Sequence, residues 1–576
     1  MTSNAPVLEQ VDDLIAGRRF DAADQLLCDF NRDADNRCLR SLLLHASVLE
    51  SLNRRLEAAA LLEDAEGLSG DPRERARILA RIADIWYLAG PKSVPQIRSI
   101  AGFLERSVNL DPSAGNAETR RKLCSSYLAS GDLRKLLQQA RELALIKGEE
   151  LQARLFTAVA CFLLNLKAEG QAELQYLLQR LDELTDQQLF SLLELLIGYG
   201  ALDDAQAVLD GSPSQGKRTH WLNELQAQVY QERADHKSAL SILTKEYLAS
   251  FSEPAKLRKL HSLRAKCLDA TGEYAAAHAS FEAMNRAARQ EYSAAGRKDA
   301  AQRYIELGPR QLPQFEFIES APYVHAFMIG FPRSGTTLLE TILGTQPDVR
   351  TLSEADAITA VRRKMIGMGK AYPDDLTRLT AKEVTRLRSA YFDHNRNYIE
   401  SGEQFSVLID KLPLNIIHVP LIKILFPEAR FILSLRHPAD VCLSCFQQDF
   451  ILNDDMAHFT DLEGCFMRYR DVMGLFETVR AGLELAVWTV RYEDLVADLS
   501  GTVEDLCVFL GIEPDQRYRD FHAINKDRLV ATPSRSQVAR PIYKSAQNRW
   551  INYRAVISPF LGIVQECLDR YRYSGS

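Results

Sequence analysis

Gly330-Phe-Pro-Arg333-Ser334-Gly335-Thr336-Thr337 closes the apolar run HAFMIGF (325–331) and opens a helical stretch running to about Thr345. The spacing is GxxxxG followed by hydroxyl residues, in the strand–loop–helix context that gives a P-loop-like motif its meaning. Backbone N–H groups of such a loop and the positive end of its helix hold an anion, and Ser334, Thr336 and Thr337 add hydroxyl donors. Downstream, SVLID (406–410), RFILSLR (430–436) and AVWTVRY (486–492) read as further buried parallel strands, each followed by a helical stretch. That alternation predicts a three-layer α/β domain with a central parallel sheet over residues 323–576.

Upstream the rhythm differs. A linker over 308–322 (GPRQLPQFEFIESAP) separates this domain from an alanine- and leucine-rich region with helical periodicity, residues 1–307. There a small residue or Asn precedes a bulky apolar one, with Ala usually following. Gly17-Arg-Arg-Phe20-Asp-Ala-Ala23 returns 36 residues later as Asn53-Arg-Arg-Leu56-Glu-Ala-Ala59. Gly131, Asn165, Gly200, Asp235 and Gly272 then follow at intervals of 34, 35, 35 and 37 residues. The stretch from Pro91 to Pro112 breaks the rhythm and reads as one degenerate repeat. The period, the turn between two helices and the small Ala at close crossings resemble the tetratricopeptide repeat (TPR), without most of its Trp and closing Pro positions. The expected all-α solenoid presents a concave surface to a protein partner or large acceptor.

The chain has 576 residues, too many for one core, so two or more domains are expected. A formal net charge of −7 argues against a general nucleic-acid binder and leaves room for a local basic pocket. The opening MTSNAPVLEQVDD lacks a basic then apolar leader, and no apolar run reaches membrane-spanning length. With ten scattered cysteines, this reads as a cytoplasmic chain with reduced core thiols. Only Cys442 and Cys445 form a CxxC, and nothing accompanies them that would make a metal site.

The loop departs informatively from nucleotide hydrolases. Those place a lysine after the second Gly to reach the outer phosphates; here Thr336 stands there, and Arg333 supplies the cation from inside the loop. A triphosphate with Mg²⁺ is poorly served by this, whereas a phosphosulfate needs no divalent metal. PRSGTT after a strand resembles the 5′-phosphosulfate-binding loop of the sulfotransferases, which use 3′-phosphoadenosine-5′-phosphosulfate (PAPS) as donor. The resemblance spans about residues 323–572. It implies that Arg333, Ser334, Gly335, Thr336 and Thr337 hold the 5′-phosphosulfate. Arg436, at the end of RFILSLR, and Ser444, eight residues on, match the family's 3′-phosphate pair, and Arg suits bidentate phosphate binding. Tyr492, Ser534 in Ser534-Arg-Ser-Gln537-Val538-Ala-Arg-Pro541, and Arg549 fall where the family lines the nucleotide, although Lys is common at the last position.

Sulfuryl transfer to a hydroxyl requires a base at the acceptor and a cation at the leaving phosphate. Small-molecule sulfotransferases use a His soon after a Lys, but His418 lies seven residues beyond Lys411. Tyrosylprotein sulfotransferases carry a catalytic Glu within an HPEVR-like segment. Gln346-Pro347-Asp348-Val349-Arg350 leads to Glu354 in the same way. The resemblance thus assigns Glu354 as general base, a role that asks for water-poor surroundings, and Lys411 as partner of the leaving group. The expected acceptor is a protein tyrosine or another large hydroxyl compound, including carbohydrate. No metal is required, and a homodimer is compatible with the reading. A P-loop kinase or nucleotidase, or a non-catalytic TPR scaffold, are the alternatives.

Overall fold

One turn geometry recurs down the first half of the chain in the computed structural model. The turn residue is left-handed at Arg18, Asn53, Gly131, Gly200, Ala234 and Gly272. The next residue's N–H then bonds the carbonyl five positions back, as in Arg54 to Leu49 (2.8 Å), Ala201 to Leu196 (2.9 Å) and Glu273 to Leu268 (2.9 Å). This six-to-one bond is the Schellman closure of a helix, and repeating it makes a chain of helical hairpins. The structure describes residues 5–574 except 34–35, 89–93, 112–116, 165, 212–218, 293–299, 309–311, 316–322, 356, 397–398, 400–402, 451 and 523–545. The anchor Asn165 and most of the 308–322 linker lie outside the described residues.

The chain divides into two compact units, Met1–Trp221 and Leu222–Ser576. In the first, consecutive helices pair from Ala5–Ala16 with Phe20–Arg32 through Asp186–Gly198 with Leu202–Gly211. The irregular stretch near Pro91 holds one such pair, Pro72–Leu88 and Val94–Leu110. Alanine lines the crossings: Ala23, Ala46, Ala58, Ala140 and Ala160 have no exposure. Charged ties join successive hairpins. Asp24 accepts from Arg54 (2.6 Å) and lies 2.8 Å from His45 Nε2, while Glu66 accepts from both Arg75 and Arg106.

The second unit begins with two more helix pairs and continues into a five-stranded parallel sheet. Its strands are β1 (Val324–Gly330), β2 (Val349–Ser353), β3 (Val407–Lys411), β4 (Arg430–Leu435) and β5 (Ala486–Arg491), in the order β2-β3-β1-β4-β5. Alternate residues feed two cores, so helices cover both faces and the architecture is three-layered. Phe327, Ile329, Phe431 and Leu433 enter one core, while Ala326, Met328, Ile409 and Ile432 enter the other. β2 was not read as a strand in the sequence, because VRTLS has no apolar run and pairs only at the sheet edge. β5, read as buried, is the opposite edge, and Ala486, Val487, Trp488 and Thr489 keep part of their surface exposed.

The helix pair Pro254–Ala270 and Tyr274–Glu291 packs into the first of these cores through Leu268, Phe281 and Met284. Asn285 donates to the Phe446 carbonyl (2.9 Å), and Arg289 donates to that of Thr460 (2.7 Å). The final helical repeat of the chain is thus built into the α/β body.

Candidate active site

The loop Gly330–Gly335 leaves β1 at the carboxyl edge of the sheet, beside the point where the strand order turns from β1 to β4. Crevices for ligands form at such switch points in open α/β sheets. Gly330 lies against β4, where an added Cβ would meet the Ser434 carbonyl oxygen at 2.5 Å. Gly335 has φ 92° and begins the helix Thr336–Leu343; a Cβ there would come within 2.8 Å of the Tyr492 ring. Both positions therefore require glycine. Side chains brace the loop through its carbonyls. Ser434 Oγ donates to Ser334 O (2.9 Å), and Cys445 Sγ to Pro332 O (3.4 Å). Ser334, Thr336 and Thr337 are buried. Arg333 itself takes a left-handed φ of 70°.

Arg333 and Arg436 lie side by side. Arg333 Nε donates to Ser444 Oγ (3.0 Å), and Arg436 Nη1 donates to the Arg333 carbonyl (3.3 Å). Arg436 Nη2 bonds Ala546 O at 2.5 Å, and its guanidinium lies 5.2 Å from the centre of the Tyr492 ring. Arg436 Nε is a buried donor with no partner. Arg333, Ser334, Gly335, Thr336, Arg436, Ser444 and Tyr492 thus form one neighbourhood. Arg549 points elsewhere: its guanidinium pairs with Asp269 of the helix Pro254–Ala270, and Tyr553 donates to the same carboxylate (2.6 Å). Ser534 and the segment 534–541 lie outside the described residues.

Lys411 ends β3 beside β1, in register with Met328. Its side chain is wholly buried, and Nζ lies 2.9 Å from Glu354 Oε1 and 3.1 Å from Glu340 Oε2. Burial opposes the Lys411 charge, but the two carboxylates outweigh it and leave the lysine above its ordinary pKa. Glu354 follows β2 with φ 52°, and its N–H donates to the Lys411 carbonyl (2.8 Å). Its side chain is 45% exposed, so the water-poor surroundings expected for it are absent. Glu340, which the sequence reading did not single out, has them instead. It is buried on the helix of the loop, accepts from Ser353 Oγ (3.3 Å), and burial lifts its carboxyl above the usual range against the pull of Lys411. One signal was legible: an acid in the middle of the otherwise uncharged TTLLETIL.

His418 takes no part in this cluster. It is buried, 2.7 Å from Tyr372 Oη and 3.3 Å from Arg362 Nη1, and burial then neighbouring guanidinium charge push its pKa well down. Cys442 and Cys445 are buried thiols, Cys445 pushed up to about 12 by burial, which suits packing rather than redox chemistry.

Residues 326–516 match the family model described as the sulfotransferase family. This part of the chain is a sulfotransferase-family domain. The chain is similar to an uncharacterized protein of Aquifex aeolicus, 26% identical over 248 residues, covering 42% of this chain and 32% of that protein. It is also similar to protein-tyrosine sulfotransferase 1 of Danio rerio, 27% identical over 274 residues, covering 45% of this chain and 76% of the other. The chain spans about a third of the length of the first of these relatives. A tetratricopeptide repeat protein from Parabacteroides merdae aligns over 44% of this chain and 94% of its own, at 16% identity and TM-score 0.37.

Proposed function

We propose that the protein transfers a sulfuryl group from PAPS to a hydroxyl of a protein or other large acceptor, with the helical repeats engaging that acceptor or a partner. The observation that carries this reading is the adjacency of two arginine-bearing turns, Arg333 after β1 and Arg436 after β4, joined by the 3.3 Å bond from Arg436 to the Arg333 carbonyl. One ligand with anionic groups at both ends fits such a pair. Arg333, Ser334, Gly335, Thr336 and Thr337 would hold the 5′-phosphosulfate. Arg436 and Ser444 would hold the 3′-phosphate, with Tyr492 beside the nucleotide. The donor supplies an activated sulfuryl group and requires no metal. Glu354, the more exposed carboxylate, takes the acceptor hydroxyl's proton as that oxygen bonds to sulfur. The bond from sulfur to the phosphate oxygen breaks, and Lys411 meets the charge left on that oxygen.

The similarity to a protein-tyrosine sulfotransferase supports tyrosine as the first acceptor to try. Transfer from labelled PAPS to a panel of tyrosine peptides and carbohydrates tests the activity, and calorimetry with 3′,5′-ADP tests the donor site. Arg333→Ala and Arg436→Ala are each expected to weaken 3′,5′-ADP binding about tenfold or more, as loss of a charge-assisted phosphate contact does. Unchanged affinity in both variants overturns the site, and binding of ATP with Mg²⁺ in place of 3′,5′-ADP would favour a kinase or nucleotidase.

A further inference from the structure

We infer that Glu340 is a positioning residue for sulfuryl transfer: through Lys411 it keeps an ammonium at the reacting centre throughout turnover. This rests on the function proposed above.

The argument begins with what a buried acid costs. A Glu–Lys pair withdrawn from water is no more stabilising than an apolar pair of similar volume, so stability does not explain its presence here. Glu340 also sits one turn into the helix whose positive end faces the candidate anion loop. A bare carboxylate there would repel the ligand that the loop is suited to hold. Lys411 neutralises it at 3.1 Å. The charged groups acting on Lys411 are Glu340, from the helix after β1, and Glu354, from the turn after β2; those acting on Glu340 are Lys411 and Glu354.

The two carboxylates differ in access. The Glu354 side chain is 45% exposed and that of Glu340 is 9% exposed, so only Glu354 is open to an acceptor. Once Glu354 has taken the acceptor's proton it is neutral. Lys411 then depends on Glu340 alone for the anion that keeps it charged, at the moment charge develops on the leaving phosphate. Two carboxylates on one lysine are therefore a division of labour: one gains and loses a proton each cycle, and the other stays an anion.

Glu340→Gln, nearly isosteric, provides the test. The expected result is a fall in kcat of about 10- to 100-fold, the usual consequence of losing an outer partner of a reacting group. The affinity for 3′,5′-ADP should stay within about threefold, since no donor contact is removed. The alkaline limb of the kcat–pH profile should move to lower pH, because Lys411 loses one of its two anions. A purely structural role would lower the melting temperature and leave that limb in place, which would overturn the inference. If Glu340→Gln folds poorly, Glu340→Asp keeps the charge but withdraws it by one methylene; a smaller shift of the same limb supports the role, and an unmoved limb sinks it. Failure of the parent reading looks different: wild-type protein would then neither transfer sulfuryl from PAPS nor bind 3′,5′-ADP.

Discussion

Replacing Lys411 by Met removes the charge from the centre of this cluster while nearly keeping the volume of the side chain, and the cost can be worked out as a function of pH. In the wild-type protein Glu340 is buried against Lys411 at 3.1 Å. Without the ammonium, burial forces the Glu340 carboxyl to be neutral in the folded state, while in the unfolded state it titrates near its ordinary 4.5. A group with its folded pKa raised contributes stability that is full below the unfolded pKa and is lost as pH rises towards the folded one. Each pH unit above 4.5 at which Glu340 must stay neutral costs about 1.4 kcal/mol. Lys411→Met should therefore cost about 5 kcal/mol at pH 8 and under about 1 kcal/mol at pH 5, in line with the 3–5 kcal/mol typical of stranding one partner of a buried pair. At about 2 °C per kcal/mol for a unit of this size, the melting temperature should fall by about 10 °C at pH 8 and by about 2 °C at pH 5. Glu340→Gln combined with Lys411→Met should recover most of the loss at pH 8. A penalty equal at both pH values, or a double variant no better than Lys411→Met, would show that no buried charge is being stranded and would refute the reasoning.

Three further outcomes are expected. Glu354→Gln should lower kcat about 10²- to 10⁴-fold, as loss of a general base does, with 3′,5′-ADP affinity in calorimetry nearly unchanged. Gly335→Ala, combining a left-handed φ of 92° with an approach of 2.8 Å to Tyr492, should cost about 2 kcal/mol in thermal unfolding and weaken 3′,5′-ADP binding. Asp269→Asn, which loses the ion pair to Arg549, should lower the melting temperature by a few degrees, about 1–2 kcal/mol.

The strand–loop–helix at Gly330 was legible because its chemistry is local: an apolar run, two glycines with forced conformations and hydroxyls at a helix start. β1, β3 and β4 were legible because central parallel strands are buried on both faces and read as continuous apolar runs. β2 escaped because an edge strand needs no such run: Val349 and Leu352 carry most of its burial, and Arg350 and Thr351 look like loop. The repeat turns were legible where Asn or Gly marks the left-handed residue, and drifted by one position where Arg18 and Ala234 adopt it. Glu340 was hidden for another reason. Its importance comes from Lys411, 71 residues away, and only the neighbouring places of β1 and β3 in the sheet bring the two together.

Arg549 shows how a side chain can match a motif and yet be committed elsewhere. Asp440 accepts from the N–H groups of Asn548 and Trp550 at 2.8 and 2.9 Å, so the backbone around Arg549 is fixed to the helix that follows β4. His437, the cap of that helix, stacks on Trp550 with 5.4 Å between ring centroids. The backbone is thus held next to Arg436, while the guanidinium reaches outward to Asp269 in the last helical hairpin. A guanidinium bound to a carboxylate cannot bind a phosphate with the same donors, so a nucleotide claiming Arg549 has to displace Asp269. Arg436 differs in degree: Nη1 and Nη2 donate to the Arg333 and Ala546 carbonyls, its nearest carboxylate, Asp440, is 3.9 Å away, and Nε has no partner. Of the two arginines, Arg436 directly follows β4, whereas Arg549 is held by the helical hairpin through Asp269.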